Sequence, residues 1–141
     1  MVQNKSVTFL KYPSEYPIPG EDFALETKEL QVDLKDNDVL LRNLFISLDP
    51  YMRGRMKNVK SYTPSFQIGK TLDASGVSEV IESKNESFPV GTVVTGVVGW
   101  EQYTVVSGAK GLRPIPNARE SQLPLSYYIG VLGMPGMTAY S

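Results

Sequence analysis

The segment Ile46–Met56, ISLDPYMRGRM, sets Tyr51 between an Asp49-Pro50 turn signal and the pair Arg53 and Arg55. A phenol has a pKa near about 10 and is neutral in the physiological range. It can therefore donate a hydrogen bond to a carbonyl oxygen and stabilise the negative charge that grows there during a reaction. The plainer reading is a rim tyrosine with a half-buried ring and a wet hydroxyl, beside two solvated arginines. The residues by themselves leave both open.

Other kinds of chemistry find little to work with. The chain contains no histidine and no cysteine, so zinc, which is held mainly by thiolate and imidazole, has no protein ligands of its preferred kind. The same absence removes Ser/His/Asp and Cys/His nucleophilic machinery. The 15 acidic residues show no spacing that selects an acid/base pair, and they read as solvated strand faces and turns. Gly91 and Gly96 have the spacing of a phosphate loop, but Val97-Val98 follow where Lys and Ser/Thr would be needed, and no GxGxxG opens a helix. No nucleotide site of the chain's own is expected.

At 141 residues and 41% hydrophobic, the sequence holds enough apolar area for one ordinary core. A net charge of −1 with scattered cations gives no footprint for nucleic acid. The lack of cysteine and of a signal-peptide pattern at the N-terminus points to a reducing, cytoplasmic setting. No charged residue occurs from Ser121 to Ser141, but Pro124, Gly130, Gly133, Pro135 and Gly136 break that run. A core or domain-interface helix is therefore expected there, and no membrane span.

These residues need a scaffold. Strands are expected at Val7–Lys11, Phe23–Leu30, Val39–Leu48, Leu72–Glu82, Thr92–Val98 and Glu101–Val106, a rhythm that suits a barrel or sandwich. Along the second, Phe23, Leu25 and Thr27 alternate with Glu26 and Lys28, which predicts burial of the Phe23 face alone. Lys35–Asp38 and Pro89–Gly91 read as turns, and Gly76 inside a strand marks a bulge or a close backbone approach. The segment from Lys57 to Gln67 has no clear period and reads as a long functional loop. A helix is expected over Glu120–Met134, stopped by Gly133-Met134-Pro135-Gly136, with a second starting at Met137.

Taken in order, VLLRNLFISLDPYMRGRM, SYTPSFQIGKTLDASGVSEVIES, FPVGTVVTGVVGWEQYTVV and LPLSYYIGVLGMPGMTAY closely resemble the N-terminal part of a known family. That family is the zinc-independent medium-chain dehydrogenase/reductases of the NADPH-dependent 2-alkenal reductase and leukotriene B4 dehydrogenase/prostaglandin reductase group. The resemblance implies a mainly β fold, a GroES-like β-barrel substrate domain over residues 1–120. Residues 121–141 would start a linker helix toward a Rossmann domain that lies outside this sequence. The chain by itself is then expected to be an inactive fragment with an exposed apolar surface. Zinc-using relatives carry Gly-His-Glu where this chain has Gly69-Lys70-Thr71, and a cysteine in place of Met134, which agrees with the missing ligands.

The resemblance further implies reduction of the C=C bond of an α,β-unsaturated aldehyde or ketone by hydride from NADPH, without metal. Tyr51 would line the substrate site as the catalytic residue. Pro50, Met134, Met137 and Thr138 would meet the nicotinamide end of the cofactor. Methionines suit such a place because a flexible thioether adapts to varied apolar surfaces, although they equally suit core filling at a domain junction. No role is carried over for Arg53 or Arg55. The parent protein is expected to be a homodimer acting on a small molecule. The competing expectation is a stand-alone small β-barrel that binds a partner or ligand without catalysis.

Overall fold

The computed structural model describes all residues from 1 to 141, and seven strands in two antiparallel sheets dominate it. β1 (Val2–Phe9) pairs with β2 (Phe23–Leu30) in full register, Val2 opposite Leu30 and Phe9 opposite Phe23. The larger sheet has the order β6-β3-β4-β5-β7, from β3 (Val39–Ile46), β4 (Asp73–Ser83), β5 (Val93–Gly99), β6 (Tyr103–Val106) and the short β7 (Arg113–Pro114). Two short helices complete it, α1 (Tyr51–Arg55) and α2 (Met134–Tyr140), with 3-10 turns at Ser107–Ala109 and Leu125–Ile129. The fold is mainly β, as the strand rhythm requires.

β1 stitches the two sheets together. The Val7 N–H donates to the Trp100 carbonyl at 2.8 Å, the Leu72 N–H to the Val7 carbonyl at 3.0 Å, and the Phe9 N–H to the Lys70 carbonyl at 2.9 Å. Its inward face is polar: Asn4, Ser6 and Thr8 are all buried. Asn4 and Thr8 find partners, whereas Ser6 Oγ has none. The Asn4 amide donates to Glu101 Oε2 and to the Tyr103 carbonyl, both at 2.9 Å, and Thr8 Oγ1 donates to Glu26 Oε2 at 2.6 Å.

That polar face corrects the one-sided reading of β2. Leu25, on the side expected to be covered, is 69% exposed, whereas Glu26 on the other side is partly buried against Thr8 and Lys28. The apolar side is covered only at its Phe9–Phe23 end, where a cluster of Phe9, Met52, Met56, Phe66, Leu72 and Ala74 gathers. A second cluster of Val39, Leu41, Val80, Val94, Val98, Ala109 and Leu112 fills the other end of the large sheet. Each fully buried aliphatic or phenyl side chain contributes about 1.5–3 kcal/mol through burial.

Gly76 is needed for close packing, since a Cβ there would lie 2.6 Å from Val98 Cγ2 and 2.9 Å from the Phe45 carbonyl oxygen. Asp38 organises the turn before β3, accepting from the Lys35 N–H at 3.0 Å and the Gly108 N–H at 2.9 Å. These two bonds hold its carboxyl below the ordinary range.

The helix expected over Glu120–Met134 does not form as one element. Residues after Pro116 run through turns and the Leu125–Ile129 3-10 turn, and α2 begins, rather than ends, at Met134 with a proline in its first turn. Proline is tolerated at a helix start because its missing N–H has no partner to lose there, so Pro135 serves as a start where the sequence pattern predicts a stop. Gly136 fits because a Cβ would run into the Val131 carbonyl. The Leu125–Ile129 turn rests on β4, close to Val77 and Ile115.

Candidate functional site

β3 ends at Ile46, and α1 starts five residues on because Pro50 and Tyr51 enter the right-handed region after Asp49. Met52 and Met56, four apart on one face, sink into the Phe9 cluster and fix the helix on the barrel. Both arginines are partly buried and reach other elements of the fold. Arg53 Nε donates to the Glu15 carbonyl at 3.1 Å, tying the first loop to α1. Arg55 donates to the Pro64 carbonyl at 2.8 Å, forms a two-pronged ion pair with Asp73, and stacks 4.0 Å above the Phe66 ring. They hold the Tyr51 helix and the long loop after it.

Tyr51 is half-buried against that cluster. Burial first, and then the neighbouring Asp49 charge, raise its pKa above the ordinary value, with Arg55 opposing. The phenol, neutral at physiological pH in any case, stays a hydrogen donor to higher pH than usual. Asp73 and Tyr62 add to the same upward push.

A cleft of about 470 Å³ lies where the β3–α1 turn, β4 and β5 face the C-terminal segment. Ser47, Asp49, Ser75, Gly96, Met134 and Met137 contribute to its wall, together with Arg113 and Tyr128. The structure thus brings Met134 and Met137 together in one cavity, with Asp49 as the nearest member from the tyrosine segment. Pro50 and Tyr51 sit beside this wall and do not line it. Thr138 is one turn further along α2, exposed, with its hydroxyl donating to the Met134 carbonyl at 2.9 Å.

The sequence pattern does not single out Asp49, Ser47, Ser75 or Arg113 as site residues. Ser47 Oγ donates to Asp49 Oδ1 at 2.9 Å, and the Ser47 N–H to the Ser75 carbonyl at 2.7 Å. Only the Ser47-x-Asp49 spacing hints at the first contact. The wall is of small-ligand size, partly glycine, partly thioether, with the buried Oδ2 of Asp49 lacking a hydrogen-bond partner. Those features fit the nicotinamide end of a dinucleotide, an apolar ring carrying a polar amide. Elsewhere no group of three or more His, Cys, Asp or Glu side chains gathers in a metal-binding arrangement. No helix is long and apolar enough to cross a membrane.

Comparison with known proteins agrees with the mainly β fold. A family model described as the N-terminal domain of oxidoreductase matches residues 5–115. The chain belongs to this oxidoreductase family, in which the alkenal and prostaglandin reductases are its relatives. It is 41% identical over 145 residues to a 2-alkenal reductase (NADP(+)-dependent) of Nicotiana tabacum, covering 99% of this chain and 40% of the relative. It is 41% identical over 140 residues to prostaglandin reductase 1 of Rattus norvegicus, with the same coverage of 99% and 40%. Among solved structures, CurA from Vibrio vulnificus superposes with a TM-score of 0.83 at 33% identity over 97% of this chain and 39% of that one. CurA in complex with NADPH gives 0.80 at 34% identity, over 96% and 39%. The chain therefore spans about 40% of the length of the curated relatives it matches.

Proposed function

We propose that this chain is the substrate-side domain, residues 1–120 with a connecting segment 121–141, of an NADPH-dependent oxidoreductase that reduces the C=C bond of α,β-unsaturated aldehydes and ketones. The observation that carries the reading is Tyr51, a half-buried phenol on the segment whose Asp49 lines a methionine-walled cleft. The names of the tobacco and rat relatives support the substrate class, and the CurA complex supports the cofactor.

When bound, NADPH supplies the hydride for the β-carbon and is oxidised to NADP(+). As the C–H bond forms, the C=C electron pair moves toward the carbonyl, and charge collects on its oxygen as an enolate. Tyr51 donates a hydrogen bond to that oxygen, where a preformed donor in a partly dry site acts most strongly. A proton from solvent then reaches the α-carbon and completes the reduction. Met134 and Met137 would hold the nicotinamide end and adapt to apolar substrates, with Pro50 and Thr138 near the rim of the cleft.

The rest of the site belongs to residues outside this sequence. Val131, Leu132, Met137 and Tyr140 are 65%, 54%, 68% and 95% exposed, a surface suited to cover by a further domain. The 141 residues alone are therefore inactive. The protein works in the cytoplasm as a homodimer whose contact lies in the further domain, a setting supported by the absence of cysteine. The test is substrate-dependent NADPH oxidation by the full-length protein, with the saturated aldehyde or ketone identified as product. A protein that consumes no NADPH with any of a panel of enals and enones would sink the reading.

A further inference from the structure

Asp49 has one oxygen satisfied and one left over. Its Oδ1 accepts from Ser47 at 2.9 Å, whereas its Oδ2 is buried and has no partner at all. A carboxylate oxygen in that state is costly, and such groups call for a donor that the folded chain does not provide. Helix capping does not supply one: α1 has no side-chain cap, and the contact to its first turn is made by the Asp49 backbone carbonyl to the Met52 N–H. No lysine or arginine pairs with it either, since the ion pairs of the molecule lie elsewhere. Asp49 is among the residues that line the cleft, as are Met134 and Met137.

The chemistry of the two ligands decides which could satisfy it. The conjugated carbonyl of an enal or enone is an acceptor and carries no N–H or O–H, so a carboxylate has nothing to accept from the reacting group. The carboxylate would also oppose the negative charge that grows on the substrate oxygen. The nicotinamide end of the cofactor offers two kinds of donor, the carboxamide N–H and the ribose hydroxyls. We propose that Asp49 is a positioning residue that accepts a hydrogen bond from the nicotinamide end of NADPH, on the cleft wall made by Ser47 and Asp49. This deepens the NADPH reading above and rests on it.

The spacing then acquires a meaning. Asp49 accepts only and Tyr51 donates, two residues apart across Pro50, so the segment sorts the donor-bearing cofactor from the acceptor-bearing substrate. Ser47 holds one carboxylate oxygen and leaves the other for the ligand. The exposed, flexible thioethers of Met134 and Met137 are the movable part of the opposite wall.

Binding of NADPH, of its reduced 3-acetylpyridine analogue, and of an adenosine bisphosphate fragment lacking the nicotinamide end is measured by titration on the full-length protein. The analogue replaces the amide N–H by a methyl group and keeps the ribose. If the carboxamide is the donor, the wild type prefers NADPH over the analogue by about tenfold, and Asp49→Asn and Asp49→Ala bring the ratio to within about twofold. If a ribose hydroxyl is the donor, both variants weaken NADPH and the analogue equally by about tenfold and leave the adenosine fragment unchanged. Either result supports the acceptor role. Unchanged NADPH affinity in both variants, or equal weakening of the adenosine fragment, overturns it. A wild-type protein that binds no NADPH would instead overturn the parent reading, whatever the variants do.

Discussion

Arg55 closes on Asp73 with both terminal guanidinium nitrogens, Nη1 to Oδ1 and Nη2 to Oδ2 at 3.1 Å, so the helix that carries Tyr51 is tied to the first residue of β4. The Arg55 side chain is 12% exposed and the Asp73 side chain 39%, which places the pair between a surface bridge and a buried one. The planar fork that reaches Asp73 also covers Phe66.

Arg55→Ala is therefore expected to destabilise the chain by about 1–3 kcal/mol, from the lost pair and the lost packing on Phe66. Arg55→Lys recovers little, because an ammonium cannot make the two parallel bonds. Urea unfolding checks this: the midpoint should fall with an unchanged m-value. Equal stability of Arg55→Lys and the wild type would show that the two-pronged geometry contributes nothing.

The same helix shows what a sequence reveals and what it hides. β2 is legible to the residue, because Phe23–Leu30 alternates with a period of two, although its Ala, Leu, Glu and Lys residues are not strand formers. β1 begins at Val2 rather than Val7, and its first half escapes a hydrophobic pattern because its buried residues are Asn4, Ser6 and Thr8. The partners of Asn4 and Thr8, at Glu101, Tyr103 and Glu26, are 18 or more residues away. α1 is too short for a period to show, and its stability comes from Met52, Met56 and Arg55 reaching other elements. Met134 and Met137 are legible by resemblance as cleft residues. Asp49 is not, since an Asp-Pro pair reads as a turn until the missing partner of one oxygen is seen.

Two glycines that look alike in sequence should respond oppositely to alanine. Gly76→Ala pushes a methyl group against Val98 and the Phe45 carbonyl, and overpacking of this kind costs about 1–3 kcal/mol. At Gly54 in α1 a methyl group would meet nothing within 4 Å, so Gly54→Ala should stabilise by about 0.4–1 kcal/mol through the unfolded chain. Thermal unfolding of the two variants side by side gives the test. A stabilised Gly76→Ala would mean that β3 and β5 give way more easily than their packing indicates.

Glu101 predicts an unusual acid limb. Burial raises its pKa above the ordinary 4.5, against hydrogen bonds from Thr104 and Asn4. The folded state then holds more protons than the unfolded one between 4.5 and the higher folded value, so stability falls as pH rises through that window. Glu26 and Asp38 shift the other way, Glu26 through Lys28 and Thr8, and Asp38 through the Gly108 and Lys35 N–H groups. Their contribution is present above the unfolded values of 4.5 and 3.8 and is lost as pH falls through the lower folded ones. Stability should thus rise as pH falls from the raised folded value of Glu101 toward 4.5, and drop below it. Urea midpoints across pH report the curve, and Glu101→Gln should flatten the rising part alone. If the variant keeps that rise, another group is responsible.

Tyr51 is the residue on which the proposed chemistry turns. Its hydroxyl has to stay protonated to donate, and its raised pKa extends that range beyond the ordinary 10.0. In the full-length protein, Tyr51→Phe removes only the donor and keeps the ring packed in the Phe9 cluster. It should lower kcat on enals by about tenfold or more, as loss of one oxyanion donor does elsewhere. NADPH affinity should be unchanged, since the cofactor contact is assigned to Asp49. The alkaline fall of kcat/KM in the wild type, if it reports this phenol, lies above 10.0 and is absent in Tyr51→Phe. A Tyr51→Phe protein with wild-type kcat would remove the phenol from the mechanism, leaving Tyr51 as a packing residue on the rim of the cleft.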